Sequence, residues 1–76
     1  MVSLPSETRS LLGHCLARMG RFAEAEPYVV GGYEGLREVQ GPDHRRTRLA
    51  LERVIELYEA WGRPEKAREF TSSAGG

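Results

Sequence analysis

The segment Met19–Tyr28, M-G-R-F-A-E-A-E-P-Y, returns as Trp61–Phe70, W-G-R-P-E-K-A-R-E-F. Gly20 recurs at Gly62, Arg21 at Arg63 and Ala25 at Ala67, always 42 positions on. A large apolar residue, then Gly-Arg, then a small Ala at such a period marks stacked helix-turn-helix units that bury their faces against one another. The expected architecture is all-α: two antiparallel helix hairpins leaning side by side over a shared hollow. That is a binding scaffold rather than a catalytic fold.

With 76 residues there is room for one small domain, which buries only about 60% of its unfolded surface and is marginally stable. Hydrophobic residues at 39% and charged residues at 29% fit neither a disordered nor a membrane chain, and the few aromatics favour helical packing. Eleven basic and eleven acidic side chains cancel, removing the broad attraction on which non-specific nucleic-acid binding depends. Cys15 is the sole cysteine. An intramolecular disulfide and a Cys-rich metal site are thereby excluded, and a reducing, cytoplasmic setting is expected. No apolar run approaches the roughly 18 residues of a membrane span, and Met1–Gly13 lacks the basic start and apolar segment of a secretion signal.

Leu11, Leu12, Cys15, Leu16 and Met19 fall on one side of a first helix, with Glu7, Arg9, His14 and Arg18 over much of the rest. Ser3 or Ser6 is the candidate cap, Pro5 suits the first turn, and Gly20 ends the helix in a left-handed conformation. Phe22, Ala25, Val29, Gly32, Tyr33, Leu36 and Val39 keep helical phase, which predicts one helix over Phe22–Gln40. Pro27, Gly31, Gly32 and Gly35 weaken it, and a break near Gly31 is the alternative. Gly41-Pro42 is the clearest stop, with Asp43 the expected cap of the next helix. Leu51, Val54, Ile55, Tyr58 and Trp61 stripe this third helix, which Gly62 closes, with Trp61 a core anchor. Ala67 and Phe70 are the inward pair of a short fourth helix that opens near Pro64. Thr71–Gly76 has nothing to bury and is expected to fray. The units are therefore 1–41 and a truncated 42–70, followed by a disordered tail 71–76.

Leu11–Tyr28, Gly41–His44 (G-P-D-H) and Leu57–Ala67 together resemble tetratricopeptide repeats, closest to the long form of about 42 residues seen in kinesin light chains and in C-terminal arrays of bacterial Ser/Thr kinases. The resemblance carries Leu12, Gly13, Leu16, Gly20, Phe22, Ala25 and Gly32 onto the packing pattern of the first unit, and Val54, Tyr58, Gly62 and Ala67 onto that of the second. Ala25 and Ala67 are small where the two helices of a hairpin meet closely. Ile55 departs from the pattern by standing where the first unit has Gly13. The second unit also stops early, so the chain resembles the end of an array.

In such scaffolds the first helix of each pair lines a concave groove for a peptide or a partner's helix. The resemblance implies that Glu7, Ser10, His14, Ala17 and Arg18, with Leu49, Glu52, Arg53, Glu56 and Glu59, line it here. The Lys and Asn that grip a terminal carboxylate in chaperone-binding members are replaced by Ser10, His14, Glu52 and Glu56. A groove acidic in its second half would favour a basic or apolar partner.

Catalytic and metal chemistry find no constellation. His14 and His44 lack neighbours at ligand spacing, Cys15 reads as a small buried hydrophobe, and Glu52, Glu56 and Glu59 read as solvation and pairing with Arg53 or Arg63. No cofactor is expected. His44-Arg45-Arg46-Thr47-Arg48 is the one basic cluster, but it begins a helix, where the dipole opposes it. Two functions are consistent with this pattern: a non-enzymatic protein–protein interaction module, at the end of a larger array, or a self-associating homodimer that covers Val54, Tyr58 and Phe70.

Overall fold

The computed structural model describes residues 4–75. Its elements are α1 (Ser6–Arg18), α2 (Phe22–Gln40), α3 (Arg45–Ala60) and α4 (Pro64–Gly75), with no strand among the described residues. α1 pairs with α2 and α3 with α4, while α3 also packs on both α1 and α2. Over its Cα atoms the molecule measures 35 × 29 × 17 Å. The short dimension is that of two helix layers with axes about 8–10 Å apart.

Both hairpins turn on a glycine in the left-handed region, with φ +80° at Gly20 and +78° at Gly62, a conformation that strains any side chain. Gly20 N–H donates to the Ala17 carbonyl and Arg21 N–H to that of Leu16, both at 3.0 Å. The same pair recurs as Gly62 to Glu59 at 3.2 Å and Arg63 to Tyr58 at 2.7 Å. These two bonds satisfy carbonyls that a helix end otherwise leaves without donors. The recurrence in sequence is one turn built twice.

α2 runs unbroken through Gly31 and Gly32, as its continuous apolar phase predicts. The caps differ from expectation. His44, and not Asp43, caps α3, its Nδ1 accepting the Arg46 N–H at 3.1 Å; Asp43 sits one residue too early to face the second and third helical amides. Pro5 opens α1 without a side-chain cap and Ser6 is already inside the helix, while Ser3 lies outside the described residues. α4 continues past Phe70 to Gly75, with Thr71 Oγ1 donating to the Ala67 carbonyl at 3.0 Å. That local bond keeps a polar residue within the helix; Gly76 lies outside the described residues.

α1 turns an unexpected face to the core. Ser10 and Gly13 are buried, while Leu11, Leu12, Cys15 and Met19 are exposed. The apolar stripe therefore looks outward, and only Leu16, at its edge, packs against the core. The cause is the closeness of α2. A Cβ on Gly32 would stand 2.7 Å from the Ser6 carbonyl oxygen and 2.8 Å from the Ser10 nitrogen, and one on Gly13 would stand 2.7 Å from the Val29 nitrogen. Only the side of α1 carrying Ser6, Ser10, Gly13 and Ala17 is small enough for such contact, and a face of leucines would hold the helices apart.

Ala25, Val29, Tyr33 and Leu36 of α2, Ala50, Val54, Leu57 and Tyr58 of α3, and Ala67 of α4 form one core. Val54 and Tyr58 are 0% and 3% exposed, so a dimer is not needed to cover them. α2, which packs along α3, already does so. Phe70 is half-buried. Five of the six aromatic residues form a continuous chain across the two units. Ring centroids lie 6.1 Å apart for Phe22–Trp61, 6.3 Å for Trp61–Tyr58, 5.8 Å for Tyr58–Phe70 and 6.0 Å for Phe70–Tyr33. Such pairs contribute about 0.5–1.5 kcal/mol each beyond burial. Tyr58 donates its hydroxyl proton to Glu26 Oε2 at 2.8 Å, with Lys66 Nζ 4.0 Å from the same oxygen. Burial, and then the Glu26 carboxylate, raise the Tyr58 pKa above that of an ordinary phenol.

Two outcomes are expected. Gly32→Ala should lower stability by about 1–3 kcal/mol through overpacking. Gly31→Ala, whose Cβ would meet only Arg9 Nη1 at 3.7 Å, should raise it by about 0.5–1 kcal/mol; denaturant titration of both variants decides whether the close approach is real. Because the Tyr58 pKa is higher folded than unfolded, its contribution is complete below about pH 10 and is lost as pH climbs beyond it. Thermal melts from neutral to strongly alkaline pH should show a fall in Tm that is smaller in Tyr58→Phe.

Candidate functional site

α1 and α3, the first helices of the two hairpins, lie side by side and flank an open cavity of about 130 Å³. Its apolar floor is Ala17, Leu57 and Ala60; His14 and Arg18 rise from α1, and Arg53 and Glu56 from α3. Each polar pair is three or four residues apart, which puts its members on one helix face. Arg53 is held from beneath: its Nη1 donates to Ser10 Oγ at 3.0 Å, and Ser10 is fully buried. This bond orients a guanidinium that would otherwise lose rotamer freedom on engaging a ligand. Glu7 and Arg46 form an ion pair at 3.2 Å between α1 and the start of α3, with both side chains about half exposed. Such a pair contributes at most about 1 kcal/mol. Among the described residues, His14, Arg18 and Glu56 make no side-chain hydrogen bond or ion pair.

Of the expected groove residues, then, the structure brings together His14, Ala17, Arg18, Arg53 and Glu56. Ser10 offers no surface to a partner and acts only by positioning Arg53. Glu7 is occupied with Arg46. Leu49 and Glu52 are exposed but outside the lining, as is Glu59. Glu52 precedes Arg53 and so lies about 100° away around α3, on the side turned from the core. The acidic half of the groove therefore reduces to Glu56, which lines the cavity together with Arg18 and Arg53. The expected pairing of the glutamates with Arg53 or Arg63 is also not formed, since Arg53 reaches Ser10 and Arg63 lies over the Trp61 ring, 4.3 Å from its centroid. Leu57 and Ala60 were missed. Their signal is the spacing Arg53, Glu56, Leu57, Ala60, which runs along one helix face.

Cys15, expected in the core, is an exposed free thiol. No group of three or more His, Cys, Asp or Glu among the described residues could hold a metal ion, and no helix among them is long and apolar enough to cross a membrane.

A family model described as tetratricopeptide repeat matches residues 6–73, spanning both hairpins and most of α4. The chain belongs to the tetratricopeptide repeat family. No curated protein and no solved structure matches it. Tetratricopeptide repeats are generally non-catalytic modules that bind proteins or peptides, and the α1–α3 cavity occupies the side of the repeat pair formed by its first helices.

Ser10→Ala should cost about 1–2 kcal/mol by removing the acceptor beneath Arg53, a loss of several degrees in Tm for a domain of this size. Glu52→Ala, on the outward face, should change stability by less than about 0.5 kcal/mol. Melting curves of the two variants test whether Ser10 is part of the fold and Glu52 only part of its surface.

Proposed function

We propose that the chain is a non-enzymatic interaction module whose α1–α3 groove receives a peptide or a partner's helix. One observation carries this reading: an apolar floor spanning both repeat units, rimmed by His14, Arg18 and Glu56 side chains that the fold itself leaves without partners. Buried apolar contact would supply affinity there, and the rim charges would supply selectivity. Of the two partner chemistries expected, the apolar one is supported. The basic one rested on Glu52, Glu56 and Glu59, and only Glu56 lines the cavity. The 42-residue spacing of the two turns supports the long form of the repeat.

A plug variant tests the groove. Ala60 is exposed on the floor of the cavity, so Ala60→Trp should fill it while leaving Tm nearly unchanged. Peptides selected from a random library should perturb NMR resonances of His14, Arg18, Arg53 and Glu56, and should bind at least about tenfold more weakly to the plugged chain. Selected peptides that bind both forms equally, or that perturb another face, would exclude the groove.

Self-association is a second reading, favoured by the exposed apolar face of α1. Leu11, Leu12 and Met19, on one side of the helix, are 47%, 38% and 65% exposed.

A further inference from the structure

We infer that the α1–α3 groove selects an extended acidic segment of the pattern acidic–x–aliphatic–x–acidic, whose aliphatic side chain enters the cavity while the flanking carboxylates pair with Arg53 and Arg18. The inference rests on the groove reading above and names the chemistry of its occupant. Arg53 is half-buried, held at Nη1 by the neutral Ser10 hydroxyl, and forms no ion pair among the described residues. A partly desolvated cation without a counter-ion is unfavourable. Ser10 accepts from one of its five N–H donors, and the others offer the fork that matches a carboxylate. The chain's own carboxylates do not fill that role: Glu7 pairs with Arg46, Glu52 lies outside the lining, and Glu56 lines the cavity without pairing. Arg18 and Arg53 together outweigh Glu56, so the site is net cationic. It is also particular to this junction of units, since 42 positions separate Ser10 from Glu52 and Leu11 from Arg53, and neither member of the Ser10–Arg53 pair recurs. Both walls of the site belong to this chain.

Spacing selects the source of the carboxylates. α1 and α3 run in the same direction, since Glu7 meets Arg46 and Ser10 meets Arg53. Arg18, eight residues beyond Ser10, is about 12 Å further along the groove. The apolar floor of Ala17, Leu57 and Ala60 lies between. Guanidiniums so placed address carboxylates on two residues, which the side chains of one segment supply and a chain terminus does not. In an extended strand, residues i, i+2 and i+4 share a face and the outer two are about 13 Å apart, which sets an acid on each arginine and the central residue over the floor. A cavity of about 130 Å³ approaches the size that takes a benzene ring, room for one aliphatic side chain.

NMR titration of the full chain with the capped peptide acetyl-S-E-S-L-S-E-S-amide tests this. It should shift resonances of Arg18, Arg53 and Leu57 and bind at least about tenfold more tightly than the same peptide with glutamine for both glutamates. Arg53→Gln, checked for native helical content by circular dichroism, should erase most of that preference. Arg18→Gln should do the same, and because Arg18 is exposed and unbonded it guards against a folding defect at Arg53. Glu56→Gln should tighten binding by relieving repulsion, and added salt should weaken it. The inference is overturned by a glutamine peptide that binds equally, by a preference that survives both arginine changes, or by no shift at the groove. An uncapped glutamine peptide as tight as the acidic one assigns the carboxylate to a terminus, and an equally tight peptide with adjacent glutamates removes the spacing. Library peptides that are blocked by Ala60→Trp yet carry no acidic residue overturn this inference and leave the groove standing, whereas acidic peptides bound on another face overturn both.

Discussion

The contact between the backbones of α1 and α2 fixes the rotation of α1 about its own axis, and much of the surface is set by that rotation. Where Gly32 touches Ser6 and Ser10, and Gly13 touches Val29, no other face of α1 fits. His14 and Arg18 are then carried toward α3, and Leu11, Cys15 and Met19 are carried outward, in steps of about 100° per residue. A steric requirement among glycines and serines thus decides both which polar groups rim the cavity and which apolar groups are left to solvent.

The second unit has no equivalent seam, because Ile55 stands 42 positions after Gly13 and is half-buried against the core. Among the described side chains of α4, Ala67 alone is fully buried. The aromatic chain meets this deficit. Phe22 from the start of α2, Trp61 and Tyr58 from the end of α3, and Phe70 from α4 stack in series and reach Tyr33. Their contacts cross between units, and in repeat proteins it is such nearest-neighbour terms that turn separate hairpins into one cooperative body. Backbone contact holds the first hairpin, and rings hold the second to it.

How far the sequence could be read depends on which physical quantity each inference used. The turns were legible because Gly20 and Gly62 each meet a local demand for positive φ, and the length of α2 was legible because apolar phase survives single glycines. The facing of α1 was not. Hydrophobic periodicity ranks Leu11 and Leu12 above Ser10 and Gly13, but close packing selects for small size, which that measure ignores. Ser10 consequently read as a groove residue when it is wholly buried beneath Arg53. At the cavity, His14, Arg18, Arg53 and Glu56 were legible by position within the repeat pattern. Glu52 was not separable from them, since a single residue step along α3 moves a side chain from the groove to the open face. The cap at His44 escaped because Asp is the commoner capping residue, while the actual start of α3 comes one residue later.

Membership of the family settles the scaffold and leaves the ligand open, since one fold hosts many functions. The surfaces that bear on function are therefore those the fold does not consume. The core uses Ala25, Val29, Tyr33 and their partners, and the seam uses Gly13, Gly32 and Ser10. Neither Arg18 nor Glu56 is engaged by the rest of the chain, and the apolar row on α1 contributes little to a core that it faces away from. That row, at Leu12, Cys15 and Met19, stands 42 positions before Val54, Leu57 and Trp61, with which α3 packs into the core beside α2, so it is a face by which repeat units stack. The groove, both of whose walls lie in this chain, is then the surface that bears most directly on a ligand.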